Sequence, residues 1–489
     1  MYFKRDAFIL LYIFLIFHVR GQLSAYSDSI FVEDQTDTTY RIPTNYLQAT
    51  GIILGTNIGV WSFDKFIMKK NYARINLNTI QQNFKTAFVW DNDMFSTNLF
   101  AHPYHGGLYF NSARFNGMNF WNSVPFAAGG SLMWEFFMEN EPPAINDFIT
   151  TTIGGACLGE ITFRIFNQVI DNRAMGFDRF KREALLLIIS PIQELNRMIT
   201  GEAWKHKSIK GNAFPLTPIR ILTTFGYRFM ADNTQKKHDV SHLICYDVGL
   251  FYGNPYDRNN EKPYDFFSLK LGGNLYSYQP IVSRINALGM LFAKNINLRN
   301  PNSQLMMGIF QHFNFYQAKA DINKLTLNPY KISEAASIGT GILFKIKVSD
   351  QICFSSSLHL STILLGGSQT DHYKFDNRDY NMGSGFSTKL NLELLLYNKI
   401  RIFLNSEDYR IYSWVGYPPN DQKKSNSNVQ GDKGDASLSV FSLNLNYIIN
   451  QHFLLTAETG YYYRKSDYKY YSTIKHRVAE SKLSVGYIF

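Results

Sequence analysis

For a chain of 489 residues, this sequence has few cysteines, few charged residues and no apolar run long enough for a spanning helix. Cys157, Cys245 and Cys353 are scattered, so the pattern predicts neither a disulfide framework nor a structural zinc site. No RNP, zinc-finger or helix-turn-helix motif is present, and neither is a phosphate-loop or dinucleotide motif. We therefore expect no nucleic-acid partner and no cofactor.

Aromatic residues, in contrast, are abundant. They make up 16% of the chain, with 31 Tyr and 40 Phe, whereas charged residues make up only 18%. This combination is typical of a membrane β-barrel, whose strands alternate lipid-facing and lumen-facing residues. The formal net charge of +10 fits contact with anionic headgroups, so outer-membrane lipids are the expected partners.

The first residues predict export. Two basic residues precede the apolar run Phe8–Phe17, and Gly21 then supplies a small residue for cleavage. A run of about ten apolar residues is too short to span a bilayer. We interpret residues 1–21 as a signal peptide and residues 22–45 as an N-terminal extension.

Over residues 206–489 the apolar pattern has a period of two. In Phe441–Tyr447 and in Phe344–Val348, apolar residues alternate with Ser, Asn or Lys. Strands of this kind must place their two faces in different media. Short connections such as 349–350 alternate with long polar ones such as 415–436, as in bacterial barrels with tight periplasmic turns. The pattern predicts a C-terminal transmembrane antiparallel β-barrel of about 12 strands.

The end of the sequence gives a further signal. Leu483, Val485, Tyr487 and Phe489 alternate along one face of the last strand. This resembles the C-terminal signature by which outer-membrane barrels are recognised for insertion. It predicts a bacterial outer-membrane location and predicts the barrel-assembly machinery as a partner through the Phe489 strand.

Residues 46–205 show helical spacing and predict an α-helical domain, which makes the whole chain an α+β membrane protein. Carboxylates such as Glu135 and Asp147 interrupt its apolar segments, so no helix is expected to span a bilayer. Gly155 and Gly159 permit close contact between helices. We expect these helices to pack together beside or beneath the barrel, with their polar side chains turned inward.

A dense polar set lies within this helical domain. The candidate catalytic residues are His102, His105, Glu135 and Asp147, and the candidate lipid- or ligand-binding residues are Asn111, Arg114, Glu141 and Asn146. The two histidines fit a metal site, an acid–base pair with a carboxylate, or hydrogen bonds to the backbone around Pro103. No third ligand stands at a recognised spacing, so we expect no metal.

Structural roles compete with these interpretations. Burying an ionised Glu135 without a partner would be costly, and Arg114 is the expected partner. Asn146 and Asp147 follow two prolines and also suit the cap or first turn of the next helix.

The stretch Trp90–Lys205 resembles an uncharacterised family of bacterial outer-membrane proteins, domain of unknown function 3943. The matching segments are HPYHGGLYFNSAR, GSLMWEFFMENEPPAINDFI, TTIGGACLGE and SPIQELNRMITG. The resemblance implies an outer-membrane location and no established activity. More distantly, Glu135, Asp147 and the glycines that follow resemble the Glu, Asp and Gly-xxx-Gly helices of VanZ-like membrane proteins, although Thr151 stands where that family has Asn.

Three functions remain open at this point. The helical domain is a non-catalytic plug or scaffold, or it gates a channel for a small amphipathic solute, or it binds or modifies envelope lipid or lipopolysaccharide. In the last case His105 would be the base, Glu135 or Asp147 would orient it, and Arg114 would hold the headgroup at the periplasmic leaflet. The density of polar residues on apolar helices favours a functional site.

Overall fold

The computed structural model describes residues 42–86, 88–90, 93–211, 217–232, 239–258, 260–275, 278–319, 328–373, 379–416 and 431–489. The predicted signal peptide and residues 22–41 of the predicted extension lie outside these residues.

The N-terminal part of the described chain is helical. Its α-helices are α1 (Tyr46–Ser62), α2 (Leu77–Thr86), α3 (His102–Arg114), α4 (Phe120–Phe137), α5 (Ile145–Ile149), α6 (Gly155–Val169), α7 (Gly176–Ile189) and α8 (Pro191–Ile199). Three π-helical turns, Phe63–Ile67, Thr97–Ala101 and Thr150–Gly154, and the 3-10 turn Glu202–Trp204 complete this part. Among the helices that the structure describes, none combines the length and the hydropathy needed to cross a membrane.

Local sequence explains where several of these helices begin. The side chains of Asn45 and Asn119 accept hydrogen bonds from backbone N–H groups three residues later and so cap α1 and α4. Pro103 lies in the first turn of α3, where its missing N–H would have no partner in the helix.

The C-terminal part is a closed antiparallel barrel in which each strand pairs with its sequence neighbours and β1 pairs with β12. Its strands are β1 (Ile219–Asp232), β2 (Asp239–Tyr252), β3 (Phe267–Leu275), β4 (Val282–Ile296), β5 (Ser303–Ala318), β6 (Tyr330–Ser349), β7 (Ile352–Gln369), β8 (Tyr380–Leu396), β9 (Ile400–Ser413), β10 (Gly434–Ile448), β11 (Phe453–Tyr468) and β12 (Ile474–Ile488). The predicted fold class, helices followed by a barrel of about 12 strands, is confirmed.

The barrel has an apolar outside and a polar inside. On β12, Leu483 is 61% exposed and Val485 is 54% exposed, whereas the alternating Glu480 and Lys482 are buried in the lumen. This is the arrangement of a transmembrane barrel, in which lipid covers the outer face. The short connections, such as 350–351 between β6 and β7, lie at the end of the barrel where β1 begins and β12 ends. We call this the short-turn end and the opposite one the long-loop end.

Some side chains meet across the lumen. Tyr330 of β6 stacks on Tyr462 of β11 with 4.6 Å between ring centroids. Its hydroxyl donates a hydrogen bond of 3.1 Å to Glu480 of β12, which also pairs with Arg228 of β1. Because these strands lie on different sides of the barrel, the described lumen side chains meet across it.

The helical domain packs against the outside of the barrel wall. On β5, Asn314 and Tyr316 face the lumen, where they contact Glu334 and Glu407. The intervening Phe315 faces outward and lies 5.1 Å, between ring centroids, from Phe95 of the helical domain. The hypothesis that the helical domain plugs the barrel is therefore wrong, because its helices contact residues of the opposite face.

This contact runs from one end of the wall to the other. At the short-turn end, Arg164 of α6 pairs with Asp265 in the β2–β3 connection, at 3.1 Å between Nη1 and Oδ1. At the long-loop end, Asn98 donates a hydrogen bond of 2.8 Å to the hydroxyl of Tyr380, the first residue of β8. The helices thus lie beside the barrel, which is one of the two positions, beside or beneath it, that were expected from the sequence.

Candidate functional site

Glycines bring α3 and α6 into close contact. A Cβ atom added to Gly155 would lie 2.6 Å from the carbonyl carbon of Gly106, and one added to Gly106 would lie 1.8 Å from the Thr151 carbonyl oxygen. The predicted close contact at Gly155 and Gly159 is confirmed, since Gly159 likewise abuts Gly107. This contact holds the turn that follows Asp147 against the first turns of α3.

His102 and Asp147 form the centre of the candidate site. His102 Nε2 lies 3.6 Å from Asp147 Oδ1, and Asn146 Nδ2 donates a hydrogen bond of 2.7 Å to that same oxygen. The His102 side chain keeps 16% of its surface exposed, whereas that of Asp147 keeps 5%. A π-helical turn ends directly before His102, and another begins three residues after Asp147. Such turns occur often at functional sites.

His105 lies one turn further along α3. Its ring packs 4.6 Å from Tyr109 and edge-on at 5.3 Å from Trp134. Among the described residues, its buried Nε2 has no hydrogen-bond partner. Burial lowers the pKa of His105 to about 4. Burial, with a smaller contribution from His105, lowers the pKa of His102 to about 3, so both rings are neutral at pH 7.

Glu135 has a different partner from the one expected. Its Oε2 accepts a hydrogen bond of 2.8 Å from the backbone N–H of Ala144, which precedes α5. The predicted ion pair with Arg114 is wrong, because Arg114 lies at the other end of α3 and binds Glu160. Glu135 therefore fixes the start of α5, and with it Asp147, relative to α4.

Arg114 belongs to a buried ion cluster. Its Nε and Nη2 donate to the two carboxylate oxygens of Glu160 at 2.6 and 2.9 Å, and its Nη1 donates to the Met118 carbonyl oxygen at 2.6 Å. Arg164 donates to Glu160 as well, at 2.9 Å. All three guanidinium nitrogens are thus engaged within the protein, which fits a structural role in holding α3 to α6.

The other predicted ligand-binding residues are divided between buried and exposed positions. Asn111 is buried and donates 2.8 Å to Thr162 of α6. Asn146 is buried beside Asp147, and both lie in the first turn of α5, whose N-cap residue is Ala144. Glu141 is exposed in the α4–α5 connection. The structure therefore brings together His102, Asn146 and Asp147 and leaves Arg114 apart.

One polar residue near His105, Asn57, was not predicted from the sequence. The Tyr109 hydroxyl donates a short hydrogen bond to Asn57 of α1, and Asn57 donates 3.1 Å to the Gly130 carbonyl oxygen. Burial, and then the nearby charge of Glu135, raises the pKa of Tyr109 well above its ordinary value, so the phenol keeps its proton. Asn57 is a polar residue within the apolar helix α1, and that contrast is the signal that could have found it.

The candidate histidines are not part of a metal-binding cluster in the described residues. Among the residues that the structure describes, no three His, Cys, Asp or Glu side chains are arranged to hold a metal ion.

A family model matches part of this domain. Residues 87–192 match the family described as Domain of unknown function (DUF3943). The resemblance to that family is thereby confirmed, whereas the resemblance to VanZ-like proteins stays a prediction. No curated protein matches the chain.

Several solved structures are similar to the barrel. An outer-membrane channel from Pseudomonas putida F1 has 8% identity and a TM-score of 0.29, over 57% of this chain and 97% of its own. OmpT, an outer-membrane protein of Vibrio cholerae, has 8% identity and a TM-score of 0.24, over 55% of this chain and 97% of its own. The channel DcaP of Acinetobacter baumannii has 10% identity and a TM-score of 0.23, over 56% of this chain and 97% of its own. The barrel assignment itself rests on the strand pairing of this chain.

Proposed function

We propose that this is an outer-membrane protein whose helical domain binds envelope lipid or lipopolysaccharide beside the barrel and acts on it through His102 and Asp147. The observation that carries the proposal is the position of the polar cluster. It lies in helices that pack on the outward face of the barrel wall, where lipid covers a transmembrane barrel. The lumen, in contrast, is crossed by a layer of contacts among its own side chains.

The chemistry available to the cluster is proton transfer. A neutral imidazole beside a carboxylate takes up a proton from a hydroxyl group, and the carboxylate stabilises the imidazolium that forms. His102, held near Asp147, fits the role of base, and Asn146 holds the carboxylate in place. His105, with its open Nε2, is the second candidate base. In this proposal Glu135 and Arg114 act as positioning residues.

The orientation of the barrel in the membrane indicates which leaflet would contain the proposed lipid. The cluster lies toward the long-loop end, since the π-helical turn that leads into His102 contains Asn98, which contacts Tyr380. Short turns face the periplasm in bacterial barrels. The proposed lipid therefore belongs to the outer leaflet, in place of the periplasmic leaflet suggested by the sequence.

Exchange of single residues in the native organism tests this function. His102→Ala and Asp147→Asn should reproduce the lipid profile of a deletion strain, because loss of a general base lowers a rate by about 10²–10⁴-fold. His206→Ala, at an exposed position just after the helices, is the matched control and should keep the wild-type profile. Mass spectrometry of outer-membrane lipids, with the amount of folded barrel measured in parallel, gives the readout.

Two outcomes would contradict the proposal. One is an unchanged lipid profile in the deletion strain, and the other is a wild-type profile in both site variants at normal barrel abundance. A channel has weaker support, since passage would require the contacts among Tyr330, Tyr462 and Glu480 to open.

A further inference from the structure

The barrel contains a pocket that the proposed function does not use. It lies in the lumen at the short-turn end, and the empty space within it, including the part that is open to solvent, measures about 1170 Å³. It is lined near its mouth by Arg220 and Arg401, and deeper by Lys270, Arg284 and Lys482. Its inner end is the layer of side chains that includes Arg228 and Glu480.

The charges in this pocket do not balance. Arg284 and Lys482 are both held by Asp247, at 2.6 and 3.2 Å, and both approach Glu458. Two cations thus face two carboxylates in this group. The remaining cation with an ion-pair partner is Arg401, which lies 3.2 Å from Glu393.

Arg220 and Lys270 are the exceptions. Among the described residues, no carboxylate lies within ion-pair distance of either side chain, and both are exposed to the pocket. The Arg220 guanidinium lies 5.0 Å from the ring centroid of Phe251, which does not neutralise it. The lumen carboxylate of Glu407 acts on Lys270 from beyond ion-pair distance, so the five cations around the pocket face four carboxylates and one positive charge remains in excess. A net positive charge in a confined space of low dielectric attracts an anion more strongly than it would at an open surface.

Apolar side chains share the same pocket. Leu222, Phe251, Phe403 and Leu454 face it from β1, β2, β9 and β11. A small inorganic anion would leave these side chains in contact with water, whereas a ligand with an alkyl chain would cover them.

We propose that this blind pocket binds a single-chain amphiphile with an anionic head, the head pairing with Lys270 and the chain covering the apolar side chains. The ligand enters from the short-turn end, because the other side of the pocket is closed by the Tyr330 and Glu480 layer. The head is a carboxylate or a phosphate monoester. The site is separate from the helical domain. An experiment that excludes binding in this pocket therefore does not exclude the lipid activity proposed for His102.

Isothermal titration calorimetry on the full-length protein in nanodiscs tests the site, with empty nanodiscs measuring partition into lipid. Octanoate and octyl phosphate are the two anionic probes and distinguish a fatty acid from a phosphate head. At least one should bind one to one, and octanol and inorganic phosphate should each bind about tenfold more weakly, since each lacks one of the two interactions.

Variants assign the binding to its residues. Lys270→Gln should weaken binding of the anionic probe about tenfold, and Lys270→Arg should restore it. Arg220→Gln should weaken binding as well, and this variant replaces Lys270→Gln in the test if Lys270→Gln does not fold. Lys347→Gln, at the exposed end of β6 near the same barrel end, is the matched control and should bind like the wild type. Equal affinity of the wild type and Lys270→Gln, equal affinity for octanol and octanoate, or no binding of either anion would overturn the proposal.

Discussion

The two halves of strand β6 show what distinguishes a bare barrel wall from a covered one. Toward the short-turn end, the outward-facing Ile338 and Ile342 are 41% and 40% exposed. Toward the long-loop end, the outward-facing Ser333 and Ala335 are buried beneath the helical domain. One strand therefore presents large apolar residues where it is bare and small residues where helices cover it.

The difference has a steric reason. Lipid chains adapt to any shape of wall, whereas a helix approaches closely only over small side chains. A Cβ atom on Gly367 of β7 would lie 2.3 Å from Leu99, and the Ala335 carbonyl oxygen would lie 2.8 Å from a Cβ atom on Gly154. On β6 and β7, small outward residues thus mark the place where the helical domain approaches most closely, whereas on β5 the larger Phe315 packs against Phe95.

The largest expected effect comes from breaking an ion pair that joins the helical domain to the barrel. Arg164→Ala removes the pair with Asp265 and one of the two partners of Glu160. Breaking a buried ion pair costs about 3–5 kcal/mol, so the helices should unfold at a lower denaturant concentration than in the wild type. Circular dichroism during denaturation in detergent measures the loss of helix.

The control is Arg173→Ala, which breaks the pair between Asp171 and an arginine whose side chain is 44% exposed. This change should lower the unfolding free energy by less than about 1 kcal/mol. Equal effects of the two changes would contradict the attachment described here.

A smaller effect is expected from a larger side chain on the part of the barrel wall that the helical domain covers. Ala335→Phe places a large side chain where the helical domain lies against β6, and overpacking of this kind costs about 1–3 kcal/mol. Ala457→Phe on β11 is the matched control, because Ala457 is exposed on the bare wall. Thermal unfolding of both variants in detergent sharpens the comparison. A loss of stability in Ala457→Phe as large as that in Ala335→Phe would show that the two walls do not differ in this way.

The last expected effect is a pH dependence of the stability of the helical domain. The pKa of His102 and of His105 is lowered by burial to about 3 and about 4. The unfolded chain therefore binds protons that the folded domain does not. The contribution of these two histidines to the unfolding free energy should be fully present above about pH 6.5 and should fall as the pH drops toward 4, by up to about 1.4 kcal/mol per pH unit for each histidine.

The variant His105→Phe tests this linkage, because a phenyl ring keeps the contacts with Tyr109 and Trp134 and cannot be protonated. Its unfolding free energy, measured between pH 7 and about pH 5, should depend less steeply on pH than that of the wild type. His206→Phe, at an exposed position, should leave the slope unchanged. A slope in His105→Phe as steep as in the wild type would contradict the assignment.

The barrel could be predicted from the sequence in considerable detail. The alternation in Phe441–Tyr447 and Phe344–Val348 gave the inward and outward faces of β10 and β6 correctly. The short connections predicted at 398–399 and 450–451 fall between consecutive strands of the barrel, and the one predicted at 349–350 lies one residue before the observed connection at 350–351. Period-two alternation is a local property, and each strand shows it without reference to its neighbours.

The candidate site could be predicted only in part. His102, Asn146 and Asp147 were named from their density in the sequence, and the structure brings them together. The partner of Arg114 was predicted wrongly, since Glu135 and Glu160 both lie on apolar helices and the sequence does not show which helix faces α3. Asn57 was missed because its contact with Tyr109 joins two helices that are far apart in the chain.

The sequence by itself determined which residues of β6 and β10 face lipid or lumen and that residues 46–205 are largely helical, because both follow from periodicities within a few residues. Only the tertiary structure decided that the helices cover the outside of the wall, that Arg114 binds Glu160, and that Arg220 and Lys270 share a lumen pocket. Those relations join residues separated by tens to hundreds of positions, and they depend on how surfaces fit once the barrel has closed.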